Sequence, residues 1–488
     1  MAVPLRQVVL CLAAIALAGN AVGGDIAETI LNDRSSFFYL DVGNYPQQRA
    51  GLPVGVFDSG TGGLTVLDVI VNLDAYDNRT HRPKAGGDGR RDFEAEYFIY
   101  LGDKANMPYG TYPSEGKTDL LREHILKDAW FLLGRRYYLS GADRDFKTDK
   151  PPVKAIVIAC NTATAFGKAD VERLIARTGL DIRIIGAIDA GAAAAMACLS
   201  PEEDVSIAVM ATEGTVSSKG YVRALRARIA GAGYKGQIHI FQQAGVGLAG
   251  AIDAANECIR PGATTPAETY KGPGETNEQA RIDLSIWPRY GFECDGGAML
   301  LERDAAGIRN VQINSVENYI AYHLTALMEQ VRKTPNAGKL RAIVLGCTHY
   351  PFYTEVFRAR LRRLYDYHED GAYVYRPYMA EWIELVDPAP NVARELYAFL
   401  VEKALFNAAS VYDSRFFVSV PNVCNPNVCV NATGDLAYEY KYGRRAGDIQ
   451  EYVKCVPFHR GLAASELAGT LAENMPLTWA MIQADAGR

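Results

Sequence analysis

The sequence has no excess of basic charge. Its formal net charge is −6 at pH 7, which argues against a nucleic-acid binder held mainly by phosphate contacts. Past the N-terminus, no stretch is apolar enough to cross a membrane. A nucleotide loop is also missing. Gly60, Gly62 and Gly63 make a glycine-rich turn, but no Lys-Ser/Thr pair follows, so the P-loop pattern fails. Thr65 stands where a dinucleotide-binding fingerprint needs its third Gly. No solenoid-type repeat occurs. Metal-ligand spacing is absent around Cys424 and Cys429, since no His lies nearby at ligand distance in sequence. No lipidation-type cysteine follows the first apolar run, because Cys11 lies inside it.

What remains is an ordinary globular chain with an unusual start. Its 488 residues predict two to three domains. Hydrophobic residues make up 49% and charged residues 22%, which excludes disordered and fibrous classes. Arg6, the apolar run Val8 to Ala18 and the small residues Gly19, Ala21 and Gly23 follow the grammar of a signal peptide over residues 1–23, with cleavage near Ala21 or Gly23. The expectation is an exported, periplasmic protein that is off the membrane after cleavage. Eight cysteines then remain. An even count in an exported chain invites disulfides, yet the spacings are wide. The local pairing that the spacing favours is Cys424 with Cys429, in a Pro/Asn-rich loop.

Short apolar runs alternate with helical stretches. Val54–Phe57 ends at Asp58-Ser59 and is followed by a helical period from Leu64 to Leu73. Tyr97–Leu101, Ala155–Ile158, Ile182–Ile185, Val205–Met210, Ile238–Phe241 and Ala342–Leu345 read as further strands. This alternation predicts an α/β fold with parallel sheets. Ligands in such folds bind at the carboxyl ends of strands, where the distinctive polar residues cluster. Tyr76–Arg91 and Gly262–Gly291 read as surface loops, and Ser410–Gly434 as a third irregular segment.

Two of the strand ends echo each other. Ile158-Ala-Cys160-Asn161-Thr162 and Leu345-Gly-Cys347-Thr348-His349 each place a small residue, a Cys and then hydrogen-bonding groups after a strand. A cysteine at a strand-to-helix turn lies near a helix N-terminus, whose dipole favours the thiolate. The backbone N–H groups there also cradle a carboxylate. Two such half-sites suit the inversion of an α-amino acid, one thiolate removing the α-proton and the other thiol returning one. A single Cys is more often a small buried hydrophobe; two in matching turns weaken that alternative. Asp58 and Ser59 suit a helix N-cap, but Asp58 could also assist a thiol, and His349 could share a proton with Cys347.

These motifs resemble the glutamate racemases of the aspartate/glutamate racemase family. The resemblance rests on Val54-Gly-Val-Phe-Asp-Ser-Gly-Thr-Gly-Gly-Leu-Thr-Val-Leu67, Tyr100-Leu-Gly-Asp103, Met107-Pro-Tyr-Gly110, Ala159-Cys-Asn-Thr-Ala-Thr-Ala165 and Leu345-Gly-Cys-Thr-His-Tyr-Pro351, in the same order. It runs from about residue 54 to Leu385-Val-Asp-Pro388, and more weakly through Thr433-Gly-Asp435. It implies two pseudo-symmetric α/β domains with the active site in the cleft between them: residues 50–189 with 386–488, and 190–385 with an insertion over 258–310. It implies Cys160 and Cys347 as the two proton carriers, assisted by Asp58 and His349. Asp58, Ser59, Tyr109, Gly110, Asn161, Thr162, Thr348 and His349 then match substrate-contacting positions. Asp253 falls where the family has an assisting Glu, and Gly245-Val246 replaces its Cys-Pro.

The implied reaction is racemisation of glutamate with no cofactor, neither pyridoxal phosphate nor metal. The partner is a small-molecule substrate, with no nucleic acid, and a homodimer is left open. Two alternatives stay open: a racemase of aspartate or another small acidic amino acid, and an exported amino-acid-binding protein of the same fold without turnover. Inside a cell such an enzyme feeds D-glutamate to peptidoglycan for the cell wall. An exported one points instead to recycling or scavenging.

Overall fold

The computed structural model describes residues 24–304, 307–408, 413–461 and 472–487. The expected signal peptide lies outside the described residues. No helix among the described residues is long and apolar enough to cross a membrane.

In chain order the strands are β1 Val54–Asp58, β2 Phe98–Gly102, β3 Ala155–Ile158, β4 Arg183–Gly186, β5 Val205–Ala211, β6 Ile238–Ala244, β7 Met299–Asp304, β8 Gly307–Ile313, β9 Lys339–Gly346, β10 His368–Glu369, β11 Ala372–Tyr373, β12 Met379–Val386, β13 Arg415–Pro421 and β14 Val453–Pro457. The chain divides into two compact units. Unit 1 holds the described residues up to Ile158, Phe166–Ile185 and those from Leu396 onward; unit 2 holds Ala159–Ala165 and Gly186–Glu395.

Unit 1 carries a six-stranded sheet in the order β14-β13-β2-β1-β3-β4. β1 runs parallel to β2 and β3, and β13 parallel to β2. β14 returns antiparallel along the edge. Every residue of β1, β2 and β3 is buried. That is why these strands read as unbroken apolar runs: parallel strands are covered on both faces.

Unit 2 carries a four-stranded parallel sheet, β12-β9-β5-β6. The two-residue period of a strand divides its side chains between two cores. Ala208, Met210, Ile343 and Leu345 pack on the helix Val316–Lys333 through Tyr319, Leu324 and Leu327. Ile207, Val209, Ala342 and Val344 pack on the opposite face against Ile188, Ala192, Tyr221 and Leu225. Cutting a core leucine such as Leu324 to Ala costs about 2–5 kcal/mol. The helix Val316–Lys333 is well specified locally. Ser315 caps its first turn, Glu317 lies at its N-terminal end, and Arg332 and Lys333 complement the dipole at the other.

Three segments differ from their sequence reading. Ser410–Gly434 is not irregular throughout: Arg415–Pro421 is β13, paired to β2 inside the main sheet of unit 1. Its aromatic and β-branched run is a strand signal, masked by the Pro/Asn-rich stretch that follows. Gly262–Gly291 is not only a surface loop. Ala280, Ile282 and Tyr290 are buried in a unit 2 core, and Trp287–Tyr290 forms a short helix. The expected bridge between Cys424 and Cys429 is not formed; both are thiols, and Cys424 donates to the Ala142 carbonyl at 3.1 Å.

Candidate active site

The site residues of unit 2 sit at the carboxyl ends of adjacent strands. Cys347 follows β9 and is 6% exposed. Its Sγ lies 3.4 Å from His349 Nδ1. The other ring nitrogen, Nε2, lies 3.1 Å from Asp253 Oδ1. Asp253 ends the helix Leu248–Ile252, which follows β6. β9 and β6 flank β5 in the sheet, so the sheet order brings Cys347, His349 and Asp253 into one chain of contacts. Burial works against a charged His349. Asp253 and Cys347 both favour its charge, and together they hold its pKa well above the ordinary value.

The two thiols are held differently. The helix Asn161–Thr178 begins directly after Cys160. The Ala163 N–H donates to Cys160 Sγ at 3.4 Å, and the Thr164 N–H and hydroxyl donate to the Cys160 carbonyl, each at 2.9 Å. Cys160 thus occupies the capping position, facing the helix's free N–H groups. Cys347 is followed by a single 3₁₀ turn, Tyr350–Tyr353, rather than directly by an α-helix. The expected helix dipole is weak there, and the ion-pairing ring of His349 takes its place.

Behind both turns stands Tyr221, which is buried. Its hydroxyl donates to Asn161 Oδ1 at 2.6 Å. A Cβ added to Gly346 would sit 3.1 Å from the Tyr221 ring and 2.9 Å from Ala211 Cβ. Gly346, just before Cys347, is therefore small because Tyr221 fills the space. Thr162 Oγ1 lies 3.1 Å from both Thr212 Oγ1 and Thr215 Oγ1. Thr212 and Thr215 stand at a strand end where the sequence shows polar residues. Tyr221 has no local signal of its own. Tyr350 is fully buried and its hydroxyl makes no hydrogen bond. That oxygen lies 2.1 Å from where a Gly245 Cβ would be, so Gly245 admits no side chain.

Asp58, Ser59, Tyr109 and Gly110 lie in unit 1. Asp58 is buried, and its Oδ2 accepts from the Gly60 and Gly63 N–H groups at 3.1 and 3.0 Å. One carboxylate oxygen is thus tied to the glycine turn, but Asp58 is not a helix cap: the N-cap of the helix Leu64–Asn72 is Gly63, with no side-chain cap hydrogen bond. The Tyr109 hydroxyl is spent internally, 2.6 Å from both Asp103 Oδ2 and Asp128 Oδ2. A phenol has one proton to give. It goes to Asp103, and a protonated Asp128 donates to the phenol oxygen. Burial, with Asp103 close by, pushes the pKa of Asp128 well up, in keeping with that assignment. The Tyr109 side chain is 1% exposed, which leaves the backbone of Tyr109 and Gly110 as the part able to meet a ligand. Thr348 is buried beside Cys347 in sequence.

No family model matches the chain. Among curated proteins, it is 33% identical to a glutamate racemase of Shouchella clausii over 173 residues, 36% of this chain and 46% of that protein. That alignment spans less than half the length of the relative. A longer one, to a glutamate racemase of Carboxydothermus hydrogenoformans, is 26% identical over 357 residues, 73% of this chain and 83% of the relative. Among solved structures, a glutamate racemase of Bacillus anthracis aligns with TM-score 0.43 at 20% identity, covering 76% of this chain and 89% of that one. One of Francisella tularensis, in complex with D-glutamate, aligns with TM-score 0.43 at 18% identity, covering 81% and 95%.

Proposed function

We propose that this chain, a homologue of the glutamate racemases, interconverts L- and D-glutamate without a cofactor, using Cys160 and Cys347 as its two proton carriers. One thiolate takes the α-proton: the Cα–H bond breaks, an S–H bond forms, and the electron pair stays on the substrate as a carboxylate-stabilised carbanion. The other thiol protonates the opposite face and becomes the thiolate. The observation that carries the reading is the contact chain Cys347–His349–Asp253. A charged ring in contact with a thiol suits a group that passes protons, and a buried structural cysteine needs no such partner. Cys160 instead faces the N–H groups of a helix N-terminus. Asn161, Thr162, Thr348 and the Asp58-Ser59 turn are the proposed substrate contacts.

The purified protein tests this with L-glutamate and L-aspartate in deuterated water. Exchange at the α-carbon is expected with glutamate. Cys160→Ser should abolish α-proton exchange of one enantiomer and Cys347→Ser that of the other, and either change should abolish racemisation in both directions. Tight glutamate binding without exchange would sink the racemase reading in favour of a binding protein, and exchange with aspartate alone would overturn the substrate. Export through residues 1–23 is part of the proposal. It requires that the mature N-terminus, sequenced from a secreted sample, begin just after Ala21 or Gly23.

A further inference from the structure

Unit 2 buries a chain of polar groups that the proposed mechanism does not use. His323 lies in the middle of the helix Val316–Lys333 and is fully buried. A buried imidazole costs free energy unless its nitrogens are hydrogen-bonded. Here both are: Nδ1 lies 3.2 Å from Gln243 Nε2, and Nε2 lies 3.1 Å from the Val246 carbonyl oxygen.

The partners leave one placement of the ring proton. Gln330 Nε2 donates to Gln243 Oε1 at 2.8 Å and so orients the Gln243 amide. The two Nε2 hydrogens of Gln243 then go to the Ala244 carbonyl, at 3.1 Å, and to His323 Nδ1. Nδ1 is the acceptor, and Nε2–H donates to Val246. Burial pushes the pKa of His323 down to about 4, so the ring stays neutral near neutral pH and keeps this tautomer.

The carbonyl it holds belongs to a turn with little else to fix it. Gly245-Val246-Gly247 joins β6 to the helix Leu248–Ile252. The Gly245 N–H is bonded back to the Ala211 carbonyl at 2.8 Å, which anchors the strand side. Beyond it, Gly247 holds φ +73° and has no side chain to anchor it. The Tyr319 ring only packs there, 2.8 Å from where a Gly247 Cβ would be, and its hydroxyl goes to the Cys258 carbonyl. The Tyr350 hydroxyl beside Gly245 makes no hydrogen bond. The helix that follows has five residues and ends at Asp253, short enough that a tilt at its start displaces the carboxylate at its end.

We propose that His323 is a positioning residue: its Nε2–H holds the Val246 carbonyl and thereby sets where the helix Leu248–Ile252 presents Asp253 to His349. The use of that placement rests on the racemase reading. The placement itself does not, because it is read from the His349 ring without substrate. Asp253 and Cys347 are the charged groups that act on that ring.

The full chain, labelled at its histidine rings, is titrated by NMR, and the His349 signal is identified by its loss in His349→Gln. Asp253→Asn sets the full drop in the His349 pKa, about one pH unit or more. His323→Asn keeps a polar group near Nδ1 and leaves the Val246 carbonyl unbonded, so His349 should titrate lower by a large part of that drop. His323→Gln can place an Nε2–H where the ring had its own and should restore the value. His323→Asn added to Asp253→Asn should lower it no further. Gln243→Met frees the tautomer without touching the turn. It should move His349 the same way, and it serves if His323→Asn does not fold. With turnover measured as well, His323→Asn should lower kcat and leave KM nearly unchanged. An unmoved His349 in folded His323→Asn or Gln243→Met overturns the proposal, as does an equal drop in His323→Gln and His323→Asn. A ring that moves as expected in a chain that does not racemise would keep the tether and sink the racemase reading.

Discussion

His349 Nε2 and Asp253 Oδ1 are 3.1 Å apart, and this pairing decides the charge of the ring next to Cys347. Burial alone would discharge His349; Asp253 and Cys347 reverse that and hold its pKa well above the ordinary value. Asp253→Asn should therefore let His349 lose its proton at lower pH. In the direction where Cys347 is the base, kcat should fall about 10²-fold, and the alkaline limb of the pH–rate profile should move down. Asp253→Glu should restore most of the rate. Unchanged limbs in Asp253→Asn would remove Asp253 from the mechanism.

The same shift has a consequence for folding. A histidine whose pKa is raised on folding adds stability that is fully present below its unfolded pKa of about 6.5. That stability is lost as pH rises through the folded value. His349→Gln should thus lower the denaturation midpoint at about pH 6 and have progressively less effect at higher pH. Urea midpoints across that range, compared with the unmodified chain, give the sign. A deficit that grows with pH would contradict the raised pKa.

The strand ends are legible in the sequence because buried parallel strands leave continuous apolar runs that stop at polar turns. The contact of Cys347 with His349 is equally legible, since two residues after a strand lie in one turn. Asp253 is harder to place. Its contact with His349 depends on the order β9-β5-β6, which no local pattern encodes. Tyr221 is invisible for the same reason: its hydroxyl meets Asn161 from a helix 60 residues away in sequence. β13 is hidden by the Pro/Asn-rich stretch after it, and the burial of Ile282 and Tyr290 by the Gly and Pro content of their segment.

Tyr221 offers a separable test. Its hydroxyl fixes which end of the Asn161 amide faces the phenol, leaving the Nδ2 end to point elsewhere. Tyr221→Phe keeps the ring that fills the space beside Gly346 and removes one hydrogen bond. The stability cost should be about 0.5–1.5 kcal/mol. With the amide no longer oriented, KM for glutamate should rise several-fold while kcat changes less. An equal fall in kcat with KM unchanged would mean that Asn161 does not hold the bound substrate.

The cluster of Asp103, Tyr109 and Asp128 makes a prediction with a definite asymmetry. Asp103 accepts hydrogen bonds from the Tyr109 and Ser419 hydroxyls at 2.6 Å each and from Asn106 Nδ2 at 3.0 and 3.1 Å. An amide at this position turns an NH₂ toward donors, so Asp103→Asn should cost about 1–3 kcal/mol for each stranded group. Asp128 is the proton-bearing partner, and an amide can donate to the Tyr109 oxygen as the acid does. Asp128→Asn should cost less than about 1 kcal/mol. The pH dependence separates the two further. A carboxyl whose pKa is raised on folding destabilises the protein increasingly as pH climbs from about 3.9 toward the folded value, because the unfolded chain gives up that proton first. Asp128→Asn cannot ionise, so its stability should fall less steeply over that range than that of the unmodified chain. Urea midpoints from pH 4 upward measure the slope. If Asp128→Asn proves as costly as Asp103→Asn and leaves the slope unchanged, Asp128 is ionised and the proton lies elsewhere.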